Sequence, residues 1–180
     1  KYATVELRWG AAMENQTLTG LAQFMLPGNG RFENIVLHEL AHSWFGNALT
    51  PAGWNEIWLS EGLATYSEAL WVEHTQGREA FLDYMAEYGP ESPFHDLFLG
   101  QGLLSDPDPV LPNRMPYEKG AWVLHMLRAL VGDAAFFDFL AAYAGDPDLR
   151  HGNVVTADLV AAASAAAGED LESFFSPWLD

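Results

Sequence analysis

The chain has 180 residues, of which 49% are hydrophobic and 13% aromatic, so it contains enough apolar material for one domain with a substantial core. Eight Lys and Arg residues against 25 Asp and Glu residues give a formal net charge of −17, which argues against nucleic acids and anionic membrane surfaces as partners. The same charge suits a substrate with a positively charged amine, and a surface adapted to solubility or to salt explains it equally well.

The first thirty residues predict a small sheet. Apolar and polar side chains alternate over residues 2–9, which is typical of a strand, and residues 11–15 and 18–26 also look extended. The turn-forming run Pro27-Gly28-Asn29-Gly30 is expected to end this sheet.

The rest of the chain reads as helical, apart from two loops. One loop runs through Pro51 and Gly53, and the other covers residues 90–116, which contain six prolines. Most of the predicted helices are followed by a glycine, a common helix stop. In chain order, helices are predicted over residues 31–45, 55–75, 78–88, 117–131, 133–144, 156–167 and 170–179.

The first predicted helix carries the pattern H-E-x-x-H, at His38, Glu39 and His42. Residues four apart lie on one face of a helix, so two imidazoles at this spacing can bind one zinc ion, while the glutamate between them stays free to move protons. A third ligand has to come from elsewhere. Two His and one Glu leave a fourth position for water, as in catalytic zinc sites.

Glu61, nineteen residues after His42, is the candidate third ligand. It lies in the apolar run from Trp58 to Tyr66, near the start of the second long predicted helix, where a solvated surface acid is unexpected. H-E-x-x-H also occurs by chance, and in that case Glu39 is a carboxylate on a helix surface. We expect one zinc ion per chain, bound by His38, His42 and Glu61.

Four motifs in order resemble those of the M1 aminopeptidases, a branch of the gluzincins, nearly from end to end. Ala12-Met13-Glu14-Asn15 is similar to the exopeptidase motif of that family, although Ala11 stands where the family usually has Gly. The other three motifs are HELAHSWFGN from His38 to Asn47, WLSEGLATY from Trp58 to Tyr66, and Tyr117-Glu118-Lys119-Gly120.

The resemblance implies roles for three further residues. Glu39 is expected to act as general base and then general acid, and Tyr117 to bind the oxyanion of the tetrahedral intermediate. Glu14 resembles the family glutamate that binds the free α-amino group of the substrate. Without the resemblance, Tyr117 reads as an ordinary buried tyrosine at a helix start, and Glu14 as an exposed acid at a strand end.

Partners for the zinc-binding imidazoles are expected on the helix that carries Glu61. Thr65 and Glu68 follow Glu61 by four and seven residues, on the same face, so either could reach a zinc histidine. Plain packing on a helix surface is nearly as good an explanation. The other four histidines, His74, His95, His125 and His151, lack the spacing of metal ligands.

The resemblance implies an α+β, thermolysin-like catalytic domain with a small N-terminal mixed sheet followed by a mainly helical lobe. Residues 1–76 would contain the sheet and the zinc helices, and residues 77–180 the helical lobe. We expect residues 1–180 to be a single catalytic domain and a fragment of a longer protein, whose N-terminal β domain would be a partner of this chain.

The predicted function is zinc-dependent hydrolysis of the N-terminal peptide bond of peptides with a free N-terminus. The alternatives are an epoxide hydrolase or endopeptidase with the same zinc site, and a non-catalytic binding module. The absence of Cys excludes disulfides and fits a reducing compartment, so a cytoplasmic location is expected. The chain has no apolar run of membrane-spanning length.

Overall fold

A computed structural model describes residues 2–89, 92, 102–105 and 115–179. The predicted proline-rich loop over residues 90–116 therefore lies largely outside the described residues. In the described part, no helix combines the length and the apolarity that crossing a bilayer requires.

The predicted N-terminal sheet is present and is mixed. Strand β1 (Ala3–Leu7) pairs in parallel with strand β2 (Leu18–Ala22), and Met13 forms an isolated antiparallel bridge with Gly20. The predicted strand over residues 18–26 is too long, because the chain turns into a 3₁₀ helix at Gln23–Met25.

A second sheet pairs strand β3 (Leu49–Pro51) in parallel with strand β4 (Gly152–Val154). The sequence predicts neither strand and indicates a loop through Pro51 instead. Strands of three residues are too short to show an alternating pattern, so their pairing depends on contacts between distant parts of the chain.

The helices follow the predictions closely, with bounds shifted by a few residues. In chain order they are α1 (Glu33–Ala41), α2 (Trp58–Gln76), α3 (Arg78–Ala86), α4 (Gly120–Gly145), α5 (Thr156–Ala167) and α6 (Glu172–Leu179). The main differences are at α1, which ends before residue 45, and at α4, which merges two predicted helices.

Helix α1 stops early because the chain turns sharply after His42. Residues 42–44 form turns, and Gly46 has φ 128°, a conformation that favours glycine. Helix α4 has non-helical torsion angles at Gly132 (φ 81°, ψ 163°), so the predicted break between residues 131 and 133 is present within it.

A π-helical turn at Met115–Lys119 leads directly into α4. The sequence predicts the helix from Tyr117, whereas the helical backbone begins two residues earlier, as a wide turn. Turns of this type are rare and occur often at functional sites.

Helix α2 lies at the centre of the molecule and packs against α1, α3, α4 and the π-helical turn. Its residues Trp58 and Tyr66 are almost completely buried. The other large side chains of the core come from α3, α4 and α6: Phe81, Phe136, Phe139, Tyr143 and Phe175. Each contributes about 1.5–3 kcal/mol through burial, so the core fixes α2 firmly.

Candidate active site

His38, His42 and Glu61 converge at the contact between α1 and α2. Nε2 of His38 lies 3.2 Å and Nε2 of His42 lies 3.3 Å from the same oxygen, Oε2 of Glu61. One nitrogen or oxygen from each residue lies within 4.8 Å of the others, which is the spacing of ligands around one metal ion. The structure thus brings together the three residues predicted as ligands.

The hydrogen bonds of Nδ1 in the two imidazoles leave Nε2 of each ring facing Glu61. Nδ1 of His38 donates to Oε1 of Glu68 at 2.8 Å, and Nδ1 of His42 donates to the carbonyl oxygen of Phe45 at 2.9 Å. Because each Nδ1 donates to its own acceptor, each Nε2 is left to face Glu61. A protonated Nε2 donates a hydrogen bond to the Glu61 carboxylate, and loss of that proton leaves its lone pair for a metal ion. Both rings are oriented as metal ligands require.

Ser60 is a further partner of His42 that the sequence analysis missed. Its Oγ donates to the carbonyl oxygen of Phe45 at 3.0 Å and lies 3.0 Å from Nδ1 of His42. Its place directly before Glu61 gives no signal in the sequence, because neighbouring residues on a helix point in different directions.

The electrostatic field of the site favours positive charge. Burial alone would raise the pKa of Glu61, but hydrogen bonds from His38 and His42 outweigh it and lower the pKa to about 2. Burial alone would lower the pKa of His38, but Glu61 and Glu68 raise it to about 10. Carboxylates that hold a proton on the imidazoles also favour a bound cation in its place.

The side chain of Glu39 projects beside the three converging residues. Its Oε2 is buried and has no hydrogen-bond partner among the described residues. Burial raises the pKa of Glu39 to about 7, against the lowering effect of His38 and His42. A buried carboxylate oxygen in this position suits a group that exchanges protons with substrate and water.

Tyr117 lies against the imidazole of His38. Its ring stacks on the imidazole of His38, with centroids 6.0 Å apart and planes 14° apart, and 37% of the residue is exposed. Burial and the carboxylates of Glu61, Glu14 and Glu39 raise the pKa of Tyr117 above its usual range. The phenol therefore keeps its proton and can donate a hydrogen bond.

Glu14 reaches the same region from the end of the Met13 bridge. Its charge contributes to the raised pKa values of both Glu39 and Tyr117, so Glu14 lies in their neighbourhood. The backbone carbonyl of Glu14 accepts a hydrogen bond from Nδ2 of Asn47 at 2.8 Å, and the carbonyl of Asn15 closes a turn by accepting from the amide of Leu18 at 2.9 Å. Asn47 is thus a second residue that the sequence analysis missed.

Of the two residues predicted to contact a zinc-binding imidazole, Glu68 and Thr65, only Glu68 does so. Glu68 contacts His38 directly, and its Oε2 also accepts hydrogen bonds from Nδ2 of Asn34 at 2.9 Å and from the hydroxyl of Tyr84 at 2.7 Å. The hydroxyl of Thr65 is buried but has no hydrogen-bond partner among the described residues, so it does not orient an imidazole.

His74, His125 and His151, which lack the spacing of metal ligands, lie apart from this cluster. His95 is outside the described residues. His125 packs in the core against the rings of Tyr66, Phe81 and Trp122. Arg128 binds Glu73 through two hydrogen bonds of 2.6 and 3.2 Å.

Sequence and structure comparisons identify relatives of this chain. Aminopeptidase B of Rattus norvegicus is 36% identical over 143 residues, which cover 73% of this chain and 22% of the relative. Aminopeptidase N of Streptomyces lividans is 36% identical over 158 residues, 81% of this chain and 18% of the relative. This chain therefore spans about a fifth of the length of these curated relatives.

A solved structure shares the whole fold. It is a mutant M1 zinc metallopeptidase from Deinococcus radiodurans bound to a Tyr-Ser-Ala substrate, 32% identical with a TM-score of 0.79. The alignment covers 99% of this chain and 39% of that one.

The α+β fold and the ordered motifs around His38, Glu61 and Tyr117 agree with these comparisons. The Peptidase family M1 domain matches residues 5–178, nearly the full chain. The chain belongs to peptidase family M1.

Proposed function

We propose that the protein containing this chain is a zinc-dependent aminopeptidase, which hydrolyses the N-terminal peptide bond of peptides. The observation that carries the proposal is the convergence of His38, His42 and Glu61 beside Glu39 and Tyr117. The relatives named aminopeptidases and the Deinococcus radiodurans structure with its tripeptide substrate support it.

Zinc fits the donor set. Two imidazole nitrogens and one carboxylate oxygen are the ligand types of catalytic zinc sites, and each imidazole is oriented by an acceptor on its other nitrogen. His38, His42 and Glu61 would hold the ion, one per chain. When bound, zinc polarises the scissile carbonyl and acidifies the attacking water.

Glu39 and Tyr117 supply the proton transfers and the charge stabilisation. The Glu39 carboxylate takes a proton from the attacking water and passes it to the nitrogen of the leaving amine as the peptide bond breaks. The Tyr117 phenol donates a hydrogen bond to the carbonyl oxygen of the substrate, which becomes negative in the tetrahedral intermediate. Its raised pKa keeps that proton in place.

Glu14 supplies the preference for a free N-terminus. A carboxylate fixed near the reacting carbonyl binds the α-ammonium group of the first residue. A peptide with a blocked N-terminus would lack this contact and would leave the carboxylate unpaired. This distinguishes an aminopeptidase from an endopeptidase or an epoxide hydrolase that uses the same metal ligands.

We also propose that a β domain of the same protein covers the N-terminal sheet. Strand β1 is exposed along nearly its whole length, and apolar side chains around it, Tyr2, Val5, Trp9 and Leu18, are 39–53% exposed. An apolar surface of this kind on a sheet commonly marks an interface.

A cytoplasmic location stays a prediction that rests on the absence of Cys.

A panel of aminoacyl p-nitroanilides, each with its N-acetylated counterpart, tests the proposal. We expect the zinc-loaded protein to hydrolyse the free-amine compounds and to leave the acetylated ones intact. Glu14→Ala should raise KM for the free-amine compounds while zinc content is unchanged. Equal rates on free and acetylated compounds would contradict an aminopeptidase, and so would the absence of hydrolysis across the panel.

A further inference from the structure

Helix α2 and the start of α4 meet through two glycines, without side chains between their backbones. A Cβ atom added at Gly62 would lie 2.9 Å from Cα of Gly120 and 3.1 Å from the carbonyl oxygen of Pro116. A Cβ atom added at Gly120 would lie 2.9 Å from Cα of Gly62. Ordinary contacts of a Cβ begin at 3.4 Å, so a methyl group at either position forces the two backbones apart by about 0.5 Å.

Neither glycine is required by its backbone torsion angles. Neither Gly62 nor Gly120 has a positive φ, so alanine can adopt both conformations. Alanine is also the better helix former, and both positions are helical. The close approach of the two backbones is therefore the physical reason for a small residue at each position.

The contact lies directly between two parts of the active site. Gly62 follows the candidate ligand Glu61 on α2. Pro116, whose carbonyl oxygen faces Gly62, precedes Tyr117 in the π-helical turn, and Gly120 is the first residue of α4. A separation of these backbones shifts the π-helical turn that carries Tyr117 relative to Glu61, and with it the Tyr117 phenol relative to the His38 ring on which it stacks.

We propose that Gly62 and Gly120 are positioning residues that set the distance between the Tyr117 hydroxyl and the metal-binding group. This inference rests on the proposed aminopeptidase function and deepens it. The two glycines act through Tyr117 and touch neither substrate nor metal. Rigid backbone contact is well suited to the task, because a displacement of about 1 Å at a catalytic group can cost about 10²-fold in rate.

The test uses Gly120→Ala and Gly62→Ala, alone and combined with Tyr117→Phe. Each glycine variant should bind one zinc per chain and lower kcat by about 10- to 100-fold, with KM nearly unchanged. In the Tyr117→Phe background the same substitution should lower kcat by less than about threefold, because the group it displaces has lost its hydroxyl. Gly145→Ala, on the same helix with no atom within 4 Å of the added Cβ, is the matched control.

Binding of an aminophosphinic dipeptide provides a readout that does not depend on turnover, because its tetrahedral phosphinate resembles the reacting carbonyl group in the transition state. Gly120→Ala should weaken this binding by the same factor as it lowers kcat/KM, whereas binding of the free amino acid product should be unchanged. In the Tyr117→Phe background the phosphinate should bind equally well with Gly or Ala at position 120.

The inference would be overturned if the glycine substitutions lowered kcat by the same factor in the Tyr117→Phe background as in the wild type. In that case the wild-type enzyme would still be active. Loss of zinc in both glycine variants, or failure of both to fold, would also overturn it, since the glycines would then serve the ligands or the fold. A wild-type protein without aminopeptidase activity would instead overturn the proposed function, and this inference with it.

Discussion

Nδ1 of His38 lies 2.8 Å from Oε1 of Glu68, thirty residues further along the chain. The hydrogen bond fixes the imidazole with its Nε2 toward Glu61, and the other carboxylate oxygen is held by Asn34 and Tyr84. Glu68 is therefore a buried anchor for one metal ligand, and it is itself anchored from two helices.

Loss of this anchor should weaken metal binding. Glu68→Ala removes the acceptor of the His38 proton, and zinc affinity should fall by about 10- to 100-fold. Thr65→Ala, one helical turn away, is the comparison, because the Thr65 hydroxyl has no hydrogen-bond partner among the described residues. Competition titration with a chelator of known affinity measures both. Equal zinc affinities in the two variants would show that the Glu68 contact does not support the site.

Glu39→Gln separates metal binding from proton transfer. The amide keeps the shape of the side chain but cannot take a proton from water, so kcat should fall by about 10²–10⁴ while zinc stays bound. Steady-state kinetics on protein with a measured zinc content gives both numbers. Near-normal turnover in the zinc-loaded variant would assign the general base to another residue.

Tyr117→Phe tests the oxyanion contact. The ring and its stacking on His38 remain, while the donor to the developing negative charge is lost. KM should be nearly unchanged, and kcat should fall by roughly 10²–10³, the usual effect of removing one oxyanion donor. A loss that appears mainly in KM would make Tyr117 a residue for substrate binding instead.

The ion pair between Arg128 and Glu73 should stabilise the fold and respond to pH. The Arg128 side chain is 4% exposed and donates two hydrogen bonds to Glu73, whereas Arg78, the other partner of Glu73, is 52% exposed. Arg128→Ala should therefore lower the free energy of unfolding by about 1.5–3 kcal/mol at pH 7, the usual loss for hydrogen bonds to a charged group. Arg78→Ala should lower it by less than about 1 kcal/mol.

The effect of Arg128→Ala should shrink in acid. Burial alone would raise the pKa of Glu73, but hydrogen bonds from Arg128 and Arg78 outweigh it and hold the pKa below its ordinary value of 4.5. The unfolded chain therefore binds a proton at Glu73 at higher pH than the folded chain does. The pair contributes fully above about pH 4.5, and its contribution is lost as the pH falls through the lower folded value. Urea unfolding at pH 7 and pH 3 measures the difference, and an unchanged gap would contradict the assignment.

The sequence predicted what depends on local spacing. Helical periodicity and residue type predict that His38 and His42 lie one turn apart. They also predict the position of Glu61 on the next helix and the break near Gly132. Residues whose role depends on contacts with distant parts of the chain could not be identified from the sequence pattern. Ser60 and Asn47 become recognisable only when the chain brings them to His42 and Glu14.

The same limit explains the errors in the fold. The pairing of β3 with β4 joins residues about a hundred positions apart, and three-residue strands show no periodicity. The early end of α1 at His42 depends on the turn that brings the Phe45 carbonyl to the imidazole. A contact between distant residues decides the first case and a local turn decides the second, and each overrides what helix and strand propensities favour.

Metal content is the most direct test of the central claim, that His38, His42 and Glu61 form one zinc site. Elemental analysis of the native protein should give one zinc per chain, and His42→Ala and Glu61→Ala should each lose it, while His125→Ala, which alters a core histidine, should retain it. Native protein without zinc that takes up none from an equimolar solution would contradict the account. Undiminished zinc binding in the Glu61→Ala variant would contradict it as well.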